Sequence, residues 1–171
     1  IGSVPTRPPV PGIELAEDGW EVLRSVENYP KNRNIVIIGG GTVGCEIAHT
    51  LIEEGNHISI IEMLPGLSLK QNMVHRQHNQ QILDAAGTDI YLECTVTEVS
   101  CGEVKCCGKD GAIRTIPCDM VICASGQRPK DTSFATELRA AGIDAYTLGD
   151  ATDTGDFRTA TRSAMDVVMA L

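Results

Sequence analysis

The sequence predicts an α/β protein: a central parallel sheet with helices on both faces, plus a small antiparallel meander. Three observations lead there. Short, wholly apolar, β-branched runs such as Ile35-Val36-Ile37-Ile38 and Met120-Val121-Ile122-Cys123 suit strands buried on both faces of a parallel sheet. Apolar residues at helical spacing (Val43, Ile47, Leu51) separate the first of these runs from the next β-rich run at His57-Ile58-Ser59-Ile60-Ile61. Between Val96 and Pro117 the pattern changes to short alternating runs broken at Cys101-Gly102 and at Gly108-Lys109-Asp110-Gly111, which is the pattern of an antiparallel meander.

The elements follow in order. Residues 1–12 hold four of the eight prolines and cannot form a helix or a central strand, so a connecting segment is expected. Glu17-Asp18-Gly19 introduces Trp20, Val22, Leu23 and Val26, which line one face of a short helix that ends before Tyr29-Pro30. The strand at 35–38 runs into Gly39-Gly40-Gly41, and a helix from Thr42 to Glu54 stops at Gly55-Asn56 before the strand at 57–61. Strand, glycine turn, helix, strand is a βαβ unit. A loop over 63–69, a polar amphipathic helix over 71–86 closed by Gly87, and a strand at Ile90-Tyr91-Leu92 come next. After the meander, the strand at 120–123 ends in Ala124-Ser125-Gly126. A helix over 133–141, a strand over 145–148 and a last helix over 159–171 complete the chain. The expected divisions are 1–30 as a crossover segment with its short helix, 31–126 as the βαβ-containing domain, and 127–171 as a return segment.

Composition limits function. The 171 residues carry a net charge of −9 and only six aromatic side chains, one Trp, three Tyr and two Phe. An acidic chain cannot supply the phosphate-neutralising contacts that dominate nucleic-acid affinity, and so few aromatics make poor base-stacking platforms. No apolar run approaches the roughly 18 residues of a membrane span, and the first residues lack a basic-then-apolar leader, so neither nucleic acid nor membrane is an expected partner and a cytoplasmic location is expected. The start without an initiator Met reads as a piece of something longer. Seven cysteines, an odd number without an extracellular signal, are expected to be reduced thiols.

The glycine turn carries the chemistry. Gly39-x-Gly41-x-x-Gly44 follows a strand and opens a helix, the context in which G-x-G-x-x-G binds a dinucleotide. The first Gly permits the tight turn, the second lets backbone approach a pyrophosphate, and the third lets helix pack on strand; the phosphates then meet the amides of Thr42, Val43 and Gly44 at the positive end of the helix. Glu62, 23 residues after Gly39 and at the carboxyl end of the next strand, is placed to accept hydrogen bonds from adenine-ribose hydroxyls and to repel a 2′-phosphate. Met63-Leu64-Pro65 follows with no cation, so NADH is favoured over NADPH. The fold class is thus a Rossmann-like NAD(P)-binding domain.

Further motifs carry a resemblance. Ile1-Gly2-Ser3-Val4-Pro5 with Pro9-Val10-Pro11-Gly12, the glycine turn with Glu46, Asp119 through Gly126-Gln127-Arg128-Pro129, and Leu148-Gly149-Asp150 together resemble the two-dinucleotide-binding-domain flavoprotein reductases over nearly the whole chain. In that family an FAD domain is interrupted by an inserted NAD(P)H domain. The resemblance implies that Gly39, Gly41 and Gly44 face the coenzyme pyrophosphate and Glu62 its ribose, that Ala124-Ser125-Gly126 forms the return crossover, and that Gly149-Asp150 supplies a carboxylate to FAD. The tail from Gly149 to Met165 resembles the C-terminal, pyridine-nucleotide-disulfide-oxidoreductase-like portion of the NADH:flavin oxidoreductases related to old yellow enzyme, among them 2-enoate reductase, 2,4-dienoyl-CoA reductase and trimethylamine dehydrogenase. It implies a parent with an FMN-binding barrel and an iron–sulfur cluster, a small-molecule substrate, the rest of the parent polypeptide as partner, and room for homo-oligomerisation of that parent.

The chain departs from the family pattern, since the barrel and the cluster cysteines are not in this sequence. The first G-x-G-x-x-G, for the ADP half of FAD, is absent. The expectation is an NADH-binding domain with pieces of the FAD domain at both ends, inactive on its own and weak in flavin affinity. Part of a disulfide-reductase-like NADH oxidase is the alternative enzyme reading, and an NAD(H)-binding sensor without catalysis is the alternative from another class. No side chain stands out as a catalytic acid, base or nucleophile. Cys94, Cys101, Cys106, Cys107, Cys118 and Cys123 lack the spacing of paired C-x-x-C knuckles, and His75 and His78 lack a third ligand, so no metal site is expected. Glu46 reads as a helix-dipole partner, and Arg128 equally as a phosphate contact or a surface charge.

Overall fold

A computed structural model describes residues 2–25, 28–131 and 133–170. Val26, expected on the apolar face of the first helix, lies outside the described residues, as do Ile1 of the first crossover and Leu171 of the last helix. The strands are β1 Ser3–Pro5, β2 Glu17–Asp18, β3 Asn34–Ile38, β4 His57–Ile61, β5 Asp89–Tyr91, β6 Cys94–Ser100, β7 Glu103–Gly108, β8 Ile113–Pro117, β9 Met120–Cys123 and β10 Gln127–Pro129. The helices are α1 Gly19–Arg24, α2 Thr42–Glu53, α3 Met73–Ala85, α4 Ser133–Ala140 and α5 Phe157–Ala170. The chain forms two compact units, one of residues 7–126 and one joining the residues up to Thr6 with those from Gln127 onward.

In the larger unit β2-β9-β3-β4-β5 form one sheet in which every neighbouring pair is parallel. The two-residue period of a strand turns Ile35 and Ile37 to one face and Val36 and Ile38 to the other. On the first face, Ile35, Ile37, Ile58, Ile60 and Ile122 pack with Val22 of α1, with Cys45, Ile47, Ala48 and Leu51 of α2, and with Leu83 of α3. Each such side chain contributes about 1.5–3 kcal/mol by leaving water, so this is the principal stabilisation of the βαβ unit. On the second face Val36, Ile38, Ile61, Val121 and Cys123 meet Cys94, Val96, Val99, Val104, Cys106 and Ile116 of the β6-β7-β8 antiparallel sheet. The helices therefore lie on one face, and the meander covers the face for which the sequence predicts more helix. The alternating burial of β6 and β7 explains this, because it gives the meander one continuous apolar side of its own.

The first segment also differs from expectation. Residues 7–25 and 28–30 fold with the sheet, so the division falls after Thr6 and not after Pro30. Glu17 and Asp18 pair with Ile122 and Cys123, and the Arg7 guanidinium ties this stretch together by donating to the carbonyls of Ile13 and Ala16 at 3.0 and 2.9 Å. The Asp18 carboxylate caps α1 by accepting from the Trp20 and Glu21 amides, and the Asn72 side chain caps α3 by accepting from the His75 amide.

In the smaller unit β1 and β10 pair antiparallel, with Val4 opposite Arg128. Prolines are tolerated in such a two-stranded ribbon because its outer edges need no ladder donor. Residues 145–148 are irregular and not the expected strand: they have no neighbouring ladder, and the Ala145 carbonyl accepts instead from the Arg139 guanidinium at 2.8 Å. Neither α4 nor α5 buries a residue completely, and α5 leaves Phe157, Met165, Val168 and Met169 exposed. Among the described residues, no helix is long and apolar enough to cross a membrane.

Candidate functional site

β3 ends at Ile38 and the chain turns through Gly39, Gly40 and Gly41 into α2. Gly39 has φ +105°, and a Cβ there would lie 2.5 Å from the Ala124 carbonyl oxygen and 3.1 Å from Ser125 Cα. A Cβ on Gly44 would lie 1.9 Å from the Gly39 carbonyl oxygen. Both glycines are thus required by close backbone approach. Gly41 is different. Its backbone is ordinary, and a Cβ there would meet nothing within 4 Å. It is the N-cap of α2, no side chain caps that helix, and the first N–H of its ladder is that of Cys45, which donates to the Gly41 carbonyl at 3.0 Å. The amides of Thr42, Val43 and Gly44 precede that bond, so the positive end of a twelve-residue helix opens through Gly41 without a capping carboxylate of its own. A helix end of this kind is suited to receive an anion.

Glu62 follows β4 directly and is only 8% exposed. Its Oε2 accepts from the Gly40 amide at 2.6 Å and its Oε1 from the Leu64 amide at 2.8 Å. A carboxylate has about four acceptor positions, so these two bonds leave it able to take hydroxyl donors as well. Glu62 also lines a largely apolar cavity of about 420 Å³ that runs from the glycine turn to the start of β6. Of the expected residues, Gly39, Gly41, Thr42, Val43, Glu62, Ala124, Ser125 and Gly126 line this cavity together, and Gly44 packs against Gly39. Gly149 and Asp150 belong to the other unit. There they line a separate cavity of about 430 Å³, and the Asp150 carboxylate accepts from the Gly155 amide at 3.1 Å and from the Ser3 hydroxyl at 3.4 Å.

The sequence reading missed Lys70. It is the only cation among the described residues lining the first cavity, and it forms no ion pair among them. The loop after Glu62 folds back on the glycine turn: Ser68, at φ +47°, donates its amide to the Gly40 carbonyl at 2.8 Å, and Leu67 packs over Gly40. The cavity that Glu62 lines therefore includes a cation, although none follows Glu62 directly in sequence. Cys94, Thr95 and Val96 of β6 and Pro8 of the segment after β1 also enter the lining without any sequence signal.

The remaining candidates lie elsewhere. Burial pushes the Cys45 thiol up, partly opposed by the Ser68 hydroxyl that donates to it, and burial pushes Cys106 up to about 11. Cys101 is exposed, Cys107 is half-buried, and Cys118 and Cys123 are buried. His75 and His78 lie exposed on α3, Glu46 exposed on α2 and Arg128 exposed on β10. Among the described residues, no group of three His, Cys, Asp or Glu side chains is placed to hold a metal.

A parallel strand, an uncapped glycine turn into a helix, and a buried acid at the end of the next strand define the Rossmann-like class of dinucleotide sites. Residues 1–153 match the pyridine nucleotide-disulphide oxidoreductase family, and the chain belongs to it. It is similar to an NADH oxidase of Thermoanaerobacter brockii, with 32% identity over 170 residues, 97% of this chain and 26% of that protein. The fold resembles that of a 2-naphthoyl-CoA reductase (TM-score 0.80, 19% identity, 95% of this chain and 24% of that one) and of histamine dehydrogenase from Rhizobium sp. 4-9 (TM-score 0.80, 19% identity, 99% and 29%). The chain thus spans about a quarter of the length of these relatives.

Proposed function

We propose that this chain is the NADH-binding portion of a multidomain flavoprotein oxidoreductase in which hydride passes from NADH to FAD and on to a second flavin centre that reduces an activated alkene of the enoate or enoyl type. The observation that carries the reading is the uncapped N-terminus of α2, open through Gly41 into the cavity that Glu62 lines. The bound coenzyme would supply the hydride; this chain's residues bind and orient it. The Thr42, Val43 and Gly44 amides hold the diphosphate, Glu62 accepts from the ribose hydroxyls, and Ala124-Ser125-Gly126 closes the side of the turn. The apolar remainder of the cavity excludes water.

In the smaller unit the Asp150 carboxylate lines a cavity where the hydroxyls of FAD would be acceptable partners. No first dinucleotide turn accompanies it in this sequence, so the chain contributes only part of a flavin site. Likeness to an NADH oxidase and to a 2-naphthoyl-CoA reductase supports the finer reading. An FMN barrel and an iron–sulfur cluster in the parent follow from the resemblance of residues 149–165 alone. The NADH oxidase likeness also favours a second reading, a disulfide-reductase-like NADH oxidase. A redox-active cysteine pair beside the parent's first dinucleotide turn would select it over the barrel enzyme.

Calorimetry tests the coenzyme assignment. NADH is expected to bind more tightly than NADPH, because Glu62 opposes a 2′-phosphate. Lys70→Glu should widen the gap by removing a cation from the cavity lining. Equal or reversed affinity in the unaltered chain removes the NADH assignment.

A further inference from the structure

Gly40 is the position that the G-x-G-x-x-G pattern leaves open, yet both of its backbone polar groups are held. Its amide donates to Glu62 Oε2 at 2.6 Å. Its carbonyl accepts from the Ser68 amide at 2.8 Å, and the Cys45 thiol lies 3.7 Å away as a second donor. A Cβ on Gly40 would lie 2.3 Å from Leu67 Cδ2. The two groups that hold it are themselves fixed. Glu62 is 8% and Ser68 2% exposed, the second Glu62 oxygen is held by the Leu64 amide, and the Ser68 hydroxyl donates to Cys45 and accepts from the Asn79 amide group at 3.4 Å. The next residue along the chain is Gly41, from which α2 begins.

We infer that Glu62 and Ser68 are positioning residues for the diphosphate: by gripping the two backbone polar groups of Gly40 they set the direction in which the α2 amides point. Glu62 then serves affinity twice, once through the ribose and once through the backbone of the turn. This rests on the coenzyme reading above and adds to it a role for Glu62 that does not need the ribose. A buried carboxylate that accepts two amide bonds is a strong brace, since charge-assisted hydrogen bonds are about twice as strong as neutral ones and an orphaned buried amide is costly.

A ligand-and-residue cycle separates the two roles. The probes are adenosine 5′-diphosphate and its 2′,3′-dideoxy analogue, titrated into the chain and into Glu62→Ala and Glu62→Gln. If the carboxylate touches only ribose, the dideoxy probe binds the variants as it binds the unaltered chain. The inference expects Glu62→Ala to weaken both probes, each by about tenfold or more. Glu62→Gln keeps the side-chain volume but can accept from only one of the two amides, so it should weaken both to a smaller extent. It also keeps the test available if Glu62→Ala does not fold. Asn72→Ala, which removes the cap of α3 outside the cavity, should lower the melting temperature and leave both affinities unchanged; a loss of binding there would assign the Glu62 effect to general destabilisation and overturn the brace. If neither probe nor NADH binds the unaltered chain, the coenzyme reading fails and takes this one with it. If both probes bind and Glu62→Ala spares the dideoxy probe, only the brace fails.

Discussion

Replacing Gly41 by Asp should move stability and coenzyme binding in opposite directions. A Cβ at this position meets nothing within 4 Å and the backbone needs no positive φ, so the fold has room for the side chain. Asp is a better N-cap than Gly by a few tenths of a kcal/mol, and its charge at the helix N-terminus adds about 0.3–1 kcal/mol, so the folded state should gain roughly 0.5–1 kcal/mol. The same carboxylate would occupy the place of the incoming phosphates. Two unit charges about 4 Å apart repel by ~4 kcal/mol near a protein surface, and solvent in an open cavity reduces this to a range of about 2–4 kcal/mol, or roughly 30- to 700-fold in affinity. Urea unfolding reads the first effect and NADH fluorescence titration the second. Gly41→Asn has the same size without the charge, so it keeps the steric part of the loss and should bind better than Gly41→Asp by the part due to repulsion. A Gly41→Asp chain that binds NADH within threefold of the unaltered chain, or that is less stable by more than 1 kcal/mol, would refute the assignment of this helix end as an open anion cradle.

Two further outcomes follow from distances and thiol environments. Gly44→Ala should destabilise by about 1–3 kcal/mol, because its Cβ would sit 1.9 Å from the Gly39 carbonyl and backbone must shift; an unchanged urea midpoint would show that helix and strand are not in close contact there. Stability should also fall as pH rises above about 9 towards 11. Cys106 keeps its proton in the folded state up to about 11 but gives it up near 9.0 when unfolded, so over that range the unfolded chain binds fewer protons and is favoured. Cys45 and Cys118, also raised by burial, act in the same direction. Urea midpoints at pH 7, 9 and 10.5 measure it, and Cys106→Ser should flatten the decline.

The parts of this molecule readable from sequence are those set by local periodicity. The runs at 35–38, 57–61 and 120–123 are strands because unbroken apolar stretches of four or five residues leave little else, and α2 follows from Val43, Ile47 and Leu51. The position of Glu62 after β4 and its distance from Gly39 are legible in sequence, but its bonds to the Gly40 amide of the glycine turn and to the Leu64 amide of the following loop are recorded by no periodicity. Lys70 escaped for the same reason. β1, β2 and β10 have two or three residues each and exist only through their pairing partners, so nothing in their own composition announces them. The strand expected at 145–148 fails on the converse ground, since a β-rich run with no adjacent ladder has nowhere to place its backbone hydrogen bonds.

The contact between Gly39 and Ala124 has a consequence for how the site comes into being. The tightest wall of the cradle is made by a residue 85 positions further along the chain, joined to it by the bond from the Ala124 amide to the Ile38 carbonyl at 2.8 Å. A peptide carrying only residues 31–62 would contain every letter of the glycine fingerprint and its acid, yet would lack that wall. Contacts of such long sequence separation form late because the intervening loop must close first. During synthesis, then, the fingerprint and its acid are complete before the wall that faces Gly39, which exists only once residue 126 has been made and β9 has paired with β3.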